Sequence, residues 1–187
     1  MKTQIQQTLT KLQEDLRLSR RVLRRHEQAR EVIRTVGLET QQQLQYHIGD
    51  ITSLALEAVF DDPYALQVEF IQRRNKTECD LYFVRENEKV DPLSASGGGA
   101  VDVASFALRI ASWSMTRPHT RNTIILDEPL RFLSADMQEK ASQMIKELSE
   151  KLGLQFIIVT HEPILANYAD RVFEVTIRNG RSKIEVI

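Results

Sequence analysis

Two short apolar runs constrain this chain more than any other feature. Thr123-Ile124-Ile125-Leu126 stops on Asp127-Glu128-Pro129, and Gln155-Phe156-Ile157-Ile158-Val159-Thr160 stops on His161-Glu162-Pro163. Runs of this length, rich in β-formers and closed by turn residues, read as buried parallel strands. Between them Met137, Ala141, Met144, Ile145, Leu148 and Leu152 recur at helical spacing, and Gly153 stops the pattern. Strand, helix and strand in this order make one β-α-β unit. The chain therefore has an α/β core, with polar residues at two adjacent strand ends.

The other segments arrange themselves around that unit. Residues 1 to about 35 hold no proline or glycine, and Ile5, Leu9, Leu12 and Leu16 follow heptad spacing. The register continues through Ser19, Leu23, His26, Arg30 and Ile33, a weaker seam suited to a short or imperfect coiled coil. Such a helix, about 50 Å long at 1.5 Å per residue, needs a partner segment or a partner chain. Gly37 is expected to interrupt it. A second helix from about Glu39 to Phe60 carries Leu44, Ile48, Ile51, Ala55 and Val59 and ends at Asp61-Asp62-Pro63. Leu66, Val68 and Phe70 then alternate with polar residues, and Cys79 to Val84 follows a charged turn around Asn75, which predicts an antiparallel pair. Pro92 to Ala100 reads as a small-residue loop, and Val101 to Met115 as a helix whose only charges are Asp102 and Arg109. A helix that apolar is buried or lies in an interface. Val172 to Ile177 and Lys183 to Ile187 flank Arg178-Asn179-Gly180-Arg181, a strong hairpin signal. The expected domains are an arm over 1–38 and an α/β lobe over 39–187.

Charge and cysteine content exclude some classes. With 25 Lys+Arg against 26 Asp+Glu the net charge is -1, so attraction to nucleic acid or anionic lipid has to come from a local patch. The arm offers one: Arg17, Arg20, Arg21, Arg24, Arg25, Arg30 and Arg34 are opposed by Glu27 and Glu31. This stripe reads either as a solvated helix face with local ion pairs or as a track for DNA phosphates. The single Cys79 cannot form an intrachain disulfide, and no run approaches the roughly 18 apolar residues that span a bilayer. A cytoplasmic or nucleoid-associated protein, without a membrane partner, is expected.

In open α/β sheets ligands bind beyond the carboxyl ends of the strands. An acidic residue closing an apolar strand suits Mg²⁺, and the next carboxylate can polarise an attacking water. That makes Asp127 the candidate metal residue and Glu128 the candidate base, against the plainer reading of a strand followed by an acidic turn. His161, after the second strand, stands near the same ligand and can read a γ-phosphate, or it is a hydrogen-bonded structural histidine. In Ser94-Ala95-Ser96-Gly97-Gly98-Gly99, three glycines let backbone N–H groups approach a phosphate, and the next helix points its amino terminus at the same place. The alternative is a flexible linker. No Gly-x-x-x-x-Gly-Lys-Ser/Thr occurs anywhere, so the lysine that grips β- and γ-phosphates is missing from this chain.

Taken together, the motifs resemble those of ABC-type ATPases. Ser96-Gly97-Gly98-Gly99 looks like the signature motif, Ile124-Ile125-Leu126-Asp127-Glu128-Pro129 resembles Walker B, and Val159-Thr160-His161-Glu162 resembles the H-loop. With its amino-terminal coiled coil, the chain resembles the carboxyl-terminal half of an SMC-like, SbcC-type DNA-repair ATPase. The fold class implied is the carboxyl-terminal half of a P-loop NTPase head, preceded by a helix of an antiparallel coiled coil. The resemblance implies ATP and Mg²⁺ as ligands and an amino-terminal Walker A lobe, on the same or a separate chain. It also implies a second head as dimer partner, a nuclease subunit and DNA. By the same resemblance Ser96 and Gly98 serve the γ-phosphate held by the opposite head, while Asp127, Glu128 and His161 serve their own. Gly99 stands where the family usually has Gln or Glu, and Leu133-Ser134 where it usually has Leu-Asp. The competing function is an SMC-like head of a chromosome-organising, anti-phage or regulatory assembly without a nuclease, or a non-catalytic interaction protein.

Overall fold

The computed structural model describes residues 2–74, 76–118 and 120–187. Met1, which begins the expected arm, and Asn75, the centre of the expected turn, lie outside the described residues. The elements are α1 (Lys2–Val59), β1 (Ala65–Arg73), β2 (Lys76–Arg85), β3 (Glu88–Val90), α2 (Pro92–Ala95), α3 (Gly98–Met115), β4 (Thr123–Asp127), α4 (Ala135–Leu152), β5 (Gln155–Val159), α5 (Pro163–Asn167), β6 (Phe173–Arg178) and β7 (Arg181–Val186). The chain divides into two compact units, Met1–Leu44 and Gln45–Ile187.

The first unit lies within α1. Contrary to the expected interruption, the helix runs through Gly37, whose missing Cβ would meet nothing within 4 Å. A single glycine costs a helix only about 1 kcal/mol relative to alanine, and the flanking sequence is helix-forming on both sides. The heptad residues Ile5, Leu9, Leu12, Leu16 and Leu23 are exposed, and so is a second apolar line of Leu18, Val22, Val32 and Val36.

The second unit has one hydrophobic core. Leu56 and Val59 of α1, Leu66 and Val68 of β1, Phe83 of β2, and Val103, Phe106, Ala107 and Ile110 of α3 pack with Ile124 and Leu126 of β4 and Ala141 and Ile145 of α4. β1, β2 and β3 form an antiparallel sheet with Leu66 opposite Phe83 and Val68 opposite Leu81. The expected loop over 92–100 is partly helical. Asp91 caps α2 by accepting from the Leu93 and Ser94 N–H groups at 2.8 and 3.0 Å, and α3 begins at Gly98 after an extended Gly97.

β4 and β5 pair in parallel, in register from Thr123↔Gln155 to Asp127↔Val159, with α4 as the crossover. The expectation that both faces are buried does not hold. Ile124 and Leu126 turn into the core, but Ile125, Ile157 and Val159 are 66%, 45% and 57% exposed. An apolar run with no alternation suits a strand covered on both sides, and this chain covers one. β6 and β7 close through Asn179 (φ 50°) and Gly180 (φ 73°), the two positive φ values that a type I′ turn requires. That hairpin is a sheet of its own and exposes Phe173, Val175, Ile184 and Val186.

Candidate functional site

The level ends of β4 and β5 set the geometry. The Glu128 N–H donates to the Val159 carbonyl at 2.8 Å, so the chain leaving β4 is drawn across the end of β5. Glu128 has φ 46°, a left-handed conformation that non-glycine residues adopt at a cost of order 1 kcal/mol. Its carboxylate meets the first residues beyond β5. His161 Nδ1 lies 2.9 Å from Glu128 Oε2, and the Thr160 hydroxyl donates to the same oxygen at 3.5 Å. The Thr160 oxygen in turn accepts from the Glu162 N–H at 3.0 Å, which fixes the turn carrying His161. His161 Nε2 stands 3.6 Å from Glu162 Oε1, and the ring is 74% exposed.

This contact sets the charge of both partners. The hydrogen bond from His161 holds the Glu128 carboxyl below the usual carboxylate range. The same bond, with the carboxylate charge, raises the His161 imidazole above its ordinary value. Glu128 is thus ionised at neutral pH, held by the His161 ring, the His161 backbone N–H and the Thr160 hydroxyl.

Asp127 follows the alternation of Ile125 and lies on the exposed side of the sheet. Among the described residues no group of three His, Cys, Asp or Glu forms a metal cage. Mg²⁺ is ordinarily held by one or two carboxylates with substrate phosphates and water completing the octahedron. A lone strand-end carboxylate fits that mode of binding and no protein-only site.

The glycine turn is less uniform than its sequence. The Ser96 hydroxyl donates to the Pro92 carbonyl, closing α2, and has to leave that bond to donate to a ligand. Gly97 is open, with nothing within 4 Å of where a Cβ would stand. Gly98 and Gly99 instead back onto the segment after β4: a Cβ on Gly98 would come within 3.2 Å of Phe132 Cγ, and one on Gly99 within 2.8 Å of Leu133 Cδ2. Gly98 and Gly99 are therefore closely packed inside the chain, where a Cβ would force Phe132 or Leu133 to shift, while their N–H groups, in the first turn of α3, have no intrahelical acceptor. Ser134 occupies the N-cap position of α4, but its hydroxyl donates to Asp136 Oδ1 at 2.6 Å and caps no N–H.

The structure thus brings Glu128 and His161 together and sets Gly98 and Gly99 against residues 132–133. No hydrogen bond or ion pair joins the two groups among the described residues. Sequence reasoning gave no role to Thr160, Glu162, Asp102 or Phe132. For Thr160 the signal was present, a hydroxyl just before the strand-end histidine. Asp102, a charge inside an apolar helix, was the other available clue.

No family model matches the sequence. The DNA double-strand break repair Rad50 ATPase of Pyrococcus abyssi (strain GE5 / Orsay) is 29% identical over 140 residues, which is 75% of this chain and 15% of that protein. The lipoprotein-releasing system ATP-binding protein LolD of Shewanella sp. (strain MR-7) is 33% identical over 119 residues, 59% of this chain and 47% of that protein. The chain spans less than half the length of either. Among solved structures, the Smc head domain with an extended coiled coil from Pyrococcus furiosus, bound to the C-terminal domain of ScpA, superposes with a TM-score of 0.62 at 17% identity. That match covers 82% of this chain and 36% of the other. The SMC head domain from Thermotoga maritima gives 0.55 at 22% identity, over 76% of this chain and 48% of that one. The fold is the α/β fold of these SMC head domains. The chain is thus homologous to a stretch of the Rad50 ATPases, and its fold is similar to that of SMC head domains.

Proposed function

We propose that this chain is the carboxyl-terminal half of an ATP-binding and hydrolysing head that acts in DNA double-strand-break repair or recombination. An amino-terminal Walker A lobe completes it, and two heads dimerise around ATP. The observation that carries this reading is the meeting of Glu128 and His161 at 2.9 Å beyond two adjacent parallel strands. The exposed Ile125, Ile157 and Val159 beside Asp127 support the need for a second lobe, because that face is apolar and uncovered next to the chemistry.

In this reading the Glu128 carboxylate takes a proton from the water that attacks the γ-phosphorus, and the bond from that phosphorus to the bridging oxygen breaks. His161 and Thr160 hold Oε2, which orients the carboxylate, and the His161 Nε2 edge, 3.6 Å from Glu162 Oε1, turns from that carboxylate to the γ-phosphate when ATP binds. Mg²⁺, held by Asp127 and the phosphates, would neutralise charge developing on the phosphoryl oxygens. Ser96 and the N–H groups of Gly98 and Gly99 receive the γ-phosphate of the opposite head. Lacking a phosphate-gripping lysine loop, the isolated chain hydrolyses no ATP. The arginine stripe and the arm are the candidate surfaces for DNA and for a nuclease subunit.

The test is Glu128→Gln in the head reconstituted with a Walker A lobe. ATP binding is retained, turnover falls by about 100-fold or more, and dimerised heads accumulate. Unchanged turnover removes Glu128 as the base. The second reading, an SMC-like head without a nuclease, is favoured by the likeness to Smc heads in fold. Co-purification of a nuclease activity with the assembled head separates the two.

A further inference from the structure

The glycine turn and the Walker B carboxylate are distant in sequence, yet one side chain ties their supports together. Asp102, in the second turn of α3, accepts the Phe132 N–H at Oδ2 over 3.1 Å. Phe132 and Leu133 are the residues on which Gly98 and Gly99 rest, and the Phe132 carbonyl would lie 3.2 Å from a Cβ on Gly99. The segment from Glu128 to Leu133 is tightly folded. Glu128 and Leu130 have φ of 46° and 63°, Leu130 and Leu133 are buried, and the Leu133 N–H donates to the Leu130 carbonyl at 3.2 Å. Glu128 at one end is bonded to β5, and Phe132 at the other is bonded to α3. Five residues thus run from a bond on β5 to a bond on α3, with Leu130 buried between them.

We infer that Asp102 is a positioning residue that couples the phosphate-facing glycine turn to the Glu128 carboxylate, by clamping residues 130–133 onto the start of α3. Its effect on turnover rests on the ATPase reading above; the coupling itself does not. A charge-assisted hydrogen bond suits the task because it fixes the Phe132 backbone directly, whatever Phe132's exposed ring does. Asn keeps an acceptor oxygen at that position and Ala removes it, so the two variants separate the bond from the fold.

Hydrogen exchange on the chain alone is the first arm of the test. In Asp102→Ala, amides exchange faster both at Ala100 and Val101, which donate to the Gly97 carbonyl, and at Phe132 and Leu133, and Asp102→Asn restores protection at both. Faster exchange at Phe132 alone, with the glycine turn unmoved, overturns the coupling whether or not the head proves to be an ATPase. The second arm uses the head completed with a Walker A lobe. Asp102→Ala lowers kcat by about tenfold with KM for ATP unchanged, since misplacement of a catalytic group costs on the order of 10–100-fold, and Asp102→Asn recovers most of it. Equal loss in both variants, a change in KM alone, or unchanged kcat in Asp102→Ala overturns the positioning role. A wild-type head without ATPase activity would refute the function proposed above and leave the exchange result to judge the clamp.

Discussion

The β1–β2–β3 sheet and the β4–β5 sheet of the same unit are finished to different degrees. In the first, Leu66, Val68 and Phe83 are sealed against α1 and α3, and the opposite face is a mosaic of polar contacts such as Arg73 to Asp80 at 2.8 Å. In the second, one face joins the core and the other presents Ile125, Ile157 and Val159 to solvent. A sheet whose outer face is polar is complete as it stands, whereas one whose outer face is apolar is missing a layer. The unfinished sheet is the one that carries Asp127, Glu128 and, beyond β5, His161. The uncovered apolar face and the candidate site lie on the same sheet, and the proposed sharing of that site with a second lobe rests on this coincidence.

The sharpest way to test this contrast is to remove a residue from each sheet. Phe83 is 1% exposed and stacks on Tyr64 with ring centroids 5.2 Å apart. Phe83→Ala is expected to cost about 3–5 kcal/mol of stability, seen as a lower urea midpoint with an unchanged slope. Ile125→Asp, on the open face, leaves the stability of the chain within about 0.5 kcal/mol. It weakens association with a Walker A lobe by roughly 2 kcal/mol, about thirtyfold in Kd, the worth of one buried aliphatic side chain. Titration calorimetry with the lobe reads that loss. Should Ile125→Asp instead unfold the chain, the open face belongs to this chain's own core and the contrast is broken.

How much of this was legible beforehand follows from what sequence patterns encode. The β-α-β unit, the first antiparallel pair and the Asn179-Gly180 hairpin were readable because periodicity and turn chemistry are local. The exposed faces of β4 and β5 were not, since an uninterrupted apolar run looks the same whether the second cover comes from this chain or another. Gly37 misled for a related reason: a lone glycine lowers helix stability without dictating a break. At the site, Asp127, Glu128 and His161 were marked by their strand ends, but the division of labour among Gly97, Gly98 and Gly99 depends on Phe132 and Leu133, which only the fold brings near.

The Glu128–His161 contact gives a smaller but directional expectation. Glu128, held below its ordinary value, contributes stability above the usual carboxylate range and loses it as pH falls through its depressed pKa. His161, raised by the same contact, contributes fully below the ordinary imidazole value and loses it as pH rises through its elevated pKa. The charged pair is therefore intact between those limits, a window wider than either residue would have alone. By NMR the His161 ring titrates above the ordinary imidazole value, and Glu128→Gln returns it toward that value. A His161 titration indifferent to Glu128 would mean that the two strand ends are not joined in solution.

The smallest effect per residue is expected on the arm, where no sheet is involved. Among the described residues its one ion pair is Arg34 to Glu31 at 4.0 Å, between side chains that are both mostly exposed. Arg17, Arg20, Arg21 and Arg24 recur at three- and four-residue steps and share one helix face. Replacing them with Gln makes the slope of log K against log salt shallower by about 0.9 for every arginine that neutralises a phosphate of duplex DNA. Fluorescence anisotropy across a salt series measures it on the whole chain. A slope unchanged in the fourfold variant assigns the stripe to solvation, and leaves the open face of the β4–β5 sheet as the surface on which partner binding depends.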